Sequence, residues 1–365
     1  MSIKPYKVVL GKLFMLLACA AALPAAQAAD SSKPAVVNEG EHRAQYAGQS
    51  LIGAPAPYVI LKAIDGKQID LGSYYGKQPV YLKFWATWCI PCREQMPAFE
   101  RTYQVQGKQI KVIAVNTGFS DNVEAINEYR KKVTMHMPVV IDNGSLAAAF
   151  NIRVTPTHVL IDKDGRIAHI GHLEDDKFHA ALDKVLAGAT APKETRRSGA
   201  KPLQQAVYQR GDVVGELRAS TLDGNSVQLA DGKPRALIFT APWCESYLAK
   251  SRPAVAQACR RVRLEAEQLS KEGGVSWLLI ASGLWANEKD LYEYQTAEKI
   301  SLPVTLDANS NLFRAFNVRD IPTVVLIDAQ NRVTQILGPN DMGLKAAVDE
   351  LKQQTLKIQS LKQKM

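Results

Sequence analysis

The sequence predicts an α/β chain made of two tandem copies of one domain. A repeated segment predicts it, together with strand-like apolar runs that alternate with helical periods in both halves. The segment Ala149-Phe150-Asn151-Ile152-Arg153-Val154-Thr155-Pro156-Thr157-His158-Val159-Leu160-Ile161-Asp162 returns as Ala315-Phe316-Asn317-Val318-Arg319-Asp320-Ile321-Pro322-Thr323-Val324-Val325-Leu326-Ile327-Asp328. Upstream, Trp88-Cys89 pairs with Trp243-Cys244, and Asp65-Gly66-Lys67 with Asp223-Gly224-Asn225. Matches in the same order argue for duplication, and the drifting offset between them means that the second copy has gained loop residues. A chain of 365 residues, 46% of them hydrophobic, suits about two packed domains.

From the N-terminus, residues 1–28 read as a signal peptide. Lys4, Lys7 and Lys12 surround and precede the apolar stretch 13–22, and Ala26-Gln27-Ala28 fits a cleavage site. The expected location is the periplasm. The alternatives are a lipid anchor through Cys19 or an uncleaved leader that holds the chain in the membrane. Residues 45–188 form the first domain. In it, 112–115 reads as a buried strand and 123–133 as an amphipathic helix. Residues 159–161 and 167–170 pair through Asp164-Gly165, and 178–186 is the closing helix. Each copy reads strand, strand, helix, strand, helix, strand, strand, helix. Residues 189–204, rich in Ala, Lys, Arg, Gly and Pro, form the linker. Residues 205–357 form the second domain, with strands at 236–239 and 277–280 and a last helix over 344–356.

The net charge of +9 falls to +6 without the three leader lysines. The remaining positive residues lie among acidic ones, which gives no basic stripe for nucleic acid.

The chemistry-bearing motif is Trp88-Cys89-Ile90-Pro91-Cys92. It follows the apolar, β-prone run 80–85 and opens a helical stretch. Two cysteines three apart at a helix start supply a reactive thiolate and the thiol that resolves it. A structural disulfide or half of a zinc site are the bland readings. Zinc needs two further ligands, and the remaining cysteines are isolated, so no metal is expected. His169 and His172 lack a third ligand and are expected at the surface. No cofactor is called for.

These residues resemble the thioredoxin fold and, within it, the exported TlpA/ResA-like thiol–disulfide oxidoreductase family. The resemblance rests on Gly53-Ala54-Pro55-Ala56-Pro57, Phe84-Trp85-Ala86-Thr87-Trp88-Cys89, Pro91-Cys92-Arg93, Met96-Pro97 and Pro156-Thr157 before Leu160-Ile161-Asp162. It is strong over about 50–188 and weaker over 208–355. It implies two tandem thioredoxin-fold domains, each a central mixed sheet flanked by helices. Cys89 is then the exposed nucleophile, its pKa lowered by the helix N-terminus, and Cys92 the resolving thiol. Pro156 resembles the cis-proline that faces the CxxC, with Thr155 offering its backbone to substrate. Trp88 and Pro91 complete the motif. Two positions depart from the family. Lys83 stands where thioredoxins carry a buried acid, and Gln95 where the family often has Glu, with Glu94 beside it either substituting for that acid or only favouring the first turn of the helix. Lys83 either stabilises a thiolate or snorkels outward.

In the second copy the motif reads Trp243-Cys244-Glu245-Ser246-Tyr247, so Tyr247 replaces the resolving cysteine. Cys259 lies fifteen residues on. An unbroken helix at about 1.5 Å per residue would hold it roughly 22 Å away, and even a kink at Pro253 is not expected to close that gap. Cys259 is therefore expected as a packing thiol. Cys244 is either a partner-trapping thiol or an inert remnant, and Pro322 keeps the loop that faces peptide.

The leading reading is an exported oxidoreductase that reduces disulfides of envelope proteins, with a degenerate second domain that binds partners or regulates. Its partners are disulfide-containing or dithiol proteins, with a membrane thiol conductor of the DsbD type supplying electrons. A redox-sensitive or copper-handling binding protein is the alternative from another class. A peroxidase is the other enzyme reading, although neither Thr87 nor Thr240 sits where peroxiredoxins place their threonine.

Overall fold

The computed structural model of the protein describes residues 47–191 and 207–363. The expected leader, and most of the expected linker, lie outside the described residues. In the first half, β1 (Ile60–Lys62) and β2 (Gln68–Asp70) form a hairpin. There follow β3 (Val80–Trp85), α1 (Ile90–Gln106), β4 (Lys111–Asn116), α2 (Val123–Lys132), β5 (Val139–Ile141), α3 (Ser145–Ala149), β6 (Thr157–Ile161), β7 (Ile167–Gly171) and α4 (Asp176–Leu186). The five-stranded sheet runs β5-β4-β3-β6-β7. β3 is parallel to β4 and antiparallel to β6, so the sheet is mixed. All six residues of β3 are buried, as a central strand covered on both faces requires.

The second half repeats this order. It runs β8 (Arg218–Ser220), β9 (Ser226–Gln228), β10 (Arg235–Thr240), α5 (Cys244–Ser251), α6 (Pro253–Ser270), β11 (Ser276–Ser282), α7 (Glu288–Ala297), β12 (Val304–Asp307), α8 (Asn311–Ala315), β13 (Thr323–Ile327), β14 (Val333–Leu337) and α9 (Leu344–Gln363). Its sheet order, β12-β11-β10-β13-β14, is the same as in the first half. The duplication reaches single hydrogen bonds. Trp88 Nε1 donates to the Phe119 carbonyl at 2.8 Å, and Trp243 Nε1 to the Leu284 carbonyl at 2.7 Å.

The elements absent from the sequence reading are short. One strand of the first hairpin, β5 and α3 span three to five residues each, too few to show a period. α9 runs to Gln363, so the Lys/Gln-rich tail beyond 356 extends the last helix.

In the second half, the expected packing thiol is overturned. Cys244 and Cys259 form a disulfide, with Cα atoms 6.4 Å apart. The 22 Å separation assumed one helix. Instead the chain breaks at Arg252 (φ −144°, ψ 68°), because Pro253 lacks an N–H and forces its predecessor out of the helical region. α6 then packs back against α5. Pro97 in the first half, by contrast, sits inside an unbroken α1. The cross-link closes a fifteen-residue separation, which chain entropy values at about 3 kcal/mol. The double substitution Cys244→Ala/Cys259→Ala is expected to lower the unfolding free energy of the oxidised protein by roughly that amount. Denaturant melts of oxidised and reduced protein check this. Under reducing conditions, the variant and the wild type should melt alike.

Candidate active site

The site begins with the junction of β3 and α1. Cys89 is the N-cap of α1, extended at φ −76° and ψ 108°, and its Sγ accepts the Cys92 N–H at 3.2 Å. Pro91 sits in the first turn, where a missing N–H costs nothing. Cys89 and Cys92 are joined as a disulfide with Cα atoms 5.2 Å apart. Cys89 Sγ also lies 3.4 Å from the carbonyl oxygen of Thr155, which precedes Pro156 through a cis peptide bond. The two segments that the sequence singled out, 88–92 and 155–156, therefore meet at one sulfur. The helix N-terminus and the Cys92 N–H both favour negative charge there once the disulfide is reduced.

Lys83 lies on β3 and is fully buried. It does not snorkel outward. Its ammonium donates to the Gln95 carbonyl at 3.2 Å and lies 5.3 Å from the centre of the Phe99 ring. Burial pushes its pKa down to about 7, against a smaller pull upward from Glu174. Beside it, His158 Nε2 meets Gln95 Oε1 at 3.0 Å and His158 Nδ1 meets the Tyr81 hydroxyl at 2.6 Å. Burial, then the Lys83 charge, holds His158 well below the usual imidazole range, so it stays neutral. Glu94 is exposed, while Gln95 faces this buried group. His169 and His172 are half-buried rather than at the surface, because β7 packs His169 against Phe178 of α4, with ring centres 5.8 Å apart. Among the described residues, no group of three or more His, Cys, Asp or Glu is placed to hold a metal ion.

Cys89 is not the exposed cysteine that the motif predicts. It is 1% exposed, because the second half packs over the site. Trp88 stacks on Trp243 with ring centres 5.1 Å apart. The Ile90 N–H, between the two cysteines, points to the Tyr247 hydroxyl at 3.4 Å. On the other side of Cys89, the Trp285 N–H donates to the Arg153 carbonyl at 2.7 Å, and Trp285 Nε1 to Thr155 Oγ1 at 3.2 Å. Beside these rings, Arg252 Nη2 donates to Thr87 Oγ1 and to Asp121 Oδ1, both at 2.7 Å, and Nη1 to the Ser120 carbonyl. Asp121 is itself fixed by the Thr87 N–H and by Asn116. Trp285, Arg252 and Asp121 escaped the sequence reading, which names Tyr247 only as the replacement of the resolving cysteine. Only Tyr247 carries a local signal, its place in the motif, and the others need the packing of the halves.

In the second half Cys244 opens α5 but is held by Cys259. Glu245, the next residue, accepts from Arg263 Nε at 2.7 Å and from the Tyr294 hydroxyl at 2.8 Å. The start of α5 is thus anchored by an ion pair and a disulfide, with no resolving thiol at 247. Pro322 retains its cis bond.

Residues 52–170 match the family model described as the AhpC/TSA family. The chain is 33% identical to the thiol-disulfide oxidoreductase ResA of Bacillus cereus over 139 residues, 37% of this chain and 78% of that one. ResA of Bacillus thuringiensis subsp. konkukian is 35% identical over 38% of this chain and 79% of its own. ResA of Bacillus subtilis is 29% identical, over 41% of this chain and 86% of its own. With the Cys89–Cys92 pair at the head of α1 and a mixed sheet in each half, the chain belongs to the ResA/TlpA-type family of thioredoxin-like thiol–disulfide oxidoreductases.

Proposed function

We propose that this oxidoreductase works outside the cytoplasm and reduces disulfides of envelope proteins, with the second half binding partners or regulating access. The observation that carries the chemistry is the position of Cys89 Sγ, between the Cys92 N–H and the Thr155 carbonyl. In the reduced protein the Cys89 thiolate attacks one sulfur of the partner disulfide. The partner's S–S bond breaks, and its other sulfur leaves as a thiolate and takes a proton. Cys92, deprotonated, then attacks Cys89 Sγ, the mixed disulfide breaks, and the second partner thiol departs. Two electrons pass from Cys89 and Cys92 to the partner.

Pro91 sets the first helical turn, and Trp88, tied to the Phe119 carbonyl, backs the motif. Thr155 and Pro156 form the wall against which a substrate backbone aligns. Lys83, its pKa pushed down to about 7 by burial, takes up and releases a proton near neutral pH at the inner side of α1. Glu94, exposed, favours the helix N-terminus and takes no part at the sulfur.

Re-reduction then needs a thiol donor, for which a membrane thiol conductor of the DsbD type suits an exported protein. The leader 1–28 supports export. A peroxidase reading takes support from the AhpC/TSA match alone. Thr87, which would have to serve the nucleophile, is bonded to Asp121 instead.

The equilibrium reduction potential of Cys89–Cys92, by alkylation in dithiothreitol buffers, tests the proposal. A value near −270 mV, about that of thioredoxin, fits a reductase. A value near about −120 mV would make the protein a disulfide donor instead. If no reversible Cys89–Cys92 disulfide forms, the reading fails.

A further inference from the structure

The second half touches the motif on both sides of Cys89. Trp243 lies on Trp88, Tyr247 meets the Ile90 N–H, and Trp285 meets Arg153 and Thr155. The contact of Trp285 is of a particular kind. Its backbone N–H pairs with the Arg153 carbonyl while its ring reaches Thr155, so main chain and side chain are both engaged beside the cis-proline. An extended peptide that pairs with an exposed strand or loop edge uses this combination. Trp285 itself has a positive φ of 61°, a conformation bulky residues seldom adopt.

We infer that the second half is a specificity gate on the Cys89–Cys92 site, in which Trp285 and Tyr247 hold the places of a substrate segment and Arg252 latches them. This rests on the proposed thiol–disulfide exchange at Cys89. The gate selects by what can displace it. A protein segment in extended conformation supplies a backbone N–H for the Arg153 carbonyl and a large side chain for the space of the Trp285 ring. A small thiol or disulfide supplies neither, and reaches Cys89 only when the gate opens by itself. The partner class is therefore a disulfide or dithiol protein whose cysteine lies in an accessible extended segment with a neighbouring aromatic or large apolar residue.

Arg252 makes the latch independent of the aromatic contacts. It spans Thr87, Ser120 and Asp121 of the first half, and the Asp121 carboxylate it meets is fully buried. Removing Arg252 loosens the gate without touching any residue of the motif. Trp285 is 37% exposed, so its removal opens no core cavity.

The test is the rate at which dithiothreitol reduces the Cys89–Cys92 disulfide in the full chain. One dithiothreitol is oxidised to its cyclic disulfide, and Cys89 and Cys92 take up two electrons and two protons. Acid quenching, alkylation and peptide mass mapping separate this pair from Cys244–Cys259. Since the observed rate scales with the open fraction, Trp285→Ala and Arg252→Glu should each raise it by about 10-fold or more. Both should also narrow the rate advantage of a protein dithiol over dithiothreitol as reductant of this pair. Thermal melts of each variant control for folding. Unchanged dithiothreitol rates in folded variants overturn the gate and leave the oxidoreductase reading intact. Failure of that reading would show instead as a wild-type Cys89–Cys92 pair that does not cycle.

Discussion

Cys92→Ser is expected to reduce turnover by about 10³-fold or more and to leave the partner covalently attached to Cys89. The reason is the division of labour at the head of α1. Cys89 Sγ, at the N-cap, accepts the Cys92 N–H, and this contact survives the substitution because it uses the backbone. Attack on a partner disulfide therefore proceeds. The second step needs a thiolate at position 92 to break the mixed disulfide, and a serine hydroxyl does not supply it at neutral pH. The adduct should appear on non-reducing gels, dissolve with dithiothreitol, and map to Cys89 by mass spectrometry. Cys89→Ser should lose turnover to a similar extent and form no adduct. A Cys92→Ser protein that turns over at near wild-type rate would mean that Cys89 works alone, and the two-cysteine mechanism would be abandoned.

Lys83→Met is expected to stabilise the protein by about 5 kcal/mol below pH 7 and by nothing above about pH 10.5. Lys83 is buried on the central strand, and its pKa is pushed down to about 7 from an ordinary 10.5. Between those two values the unfolded chain holds a proton that the folded chain does not. Stability therefore falls as pH drops through that window, and below pH 7 the full penalty of a charged, buried amine remains. Methionine fills a similar volume and carries no charge, so the penalty disappears. Urea melts of wild type and variant from pH 6 to 10 measure it. Curves that differ by a constant at every pH would show that Lys83 is not the titrating group. The same substitution removes the amine proposed to handle protons, so thiol exchange should slow while stability rises.

Local features made the catalytic half legible. A β-prone run, a CxxC and a Pro-Thr before an apolar strand are short patterns with direct physical meaning, and the structure joins Cys89 to Cys92 and brings Cys89 to Thr155. What escaped depends on groups distant in sequence. The Cys244–Cys259 disulfide required knowing that Pro253 breaks one helix into two that fold together. His158 lies on β6, and the sequence pattern of that strand does not say which face it takes. Its inward side is decided by Tyr81 and Gln95, from two other elements. The loss of exposure at Cys89 comes from Trp243, Tyr247 and Trp285, more than 150 residues further on.

Because both halves belong to one chain, the contact between them need not be strong to be persistent. Covalent joining gives each half a local concentration of the other on the order of millimolar. Two separate proteins that met through the Trp88–Trp243 stack and the Arg252–Asp121 pair with a dissociation constant of about 10 µM would rarely be found together in dilute solution. Tethered, the same weak contact would be closed about 99% of the time, and opening it would cost only about 3 kcal/mol. Duplication followed by decay of one active site would thus leave this oxidoreductase with a built-in competitor for its own catalytic face, one whose strength a few substitutions at the contact can tune.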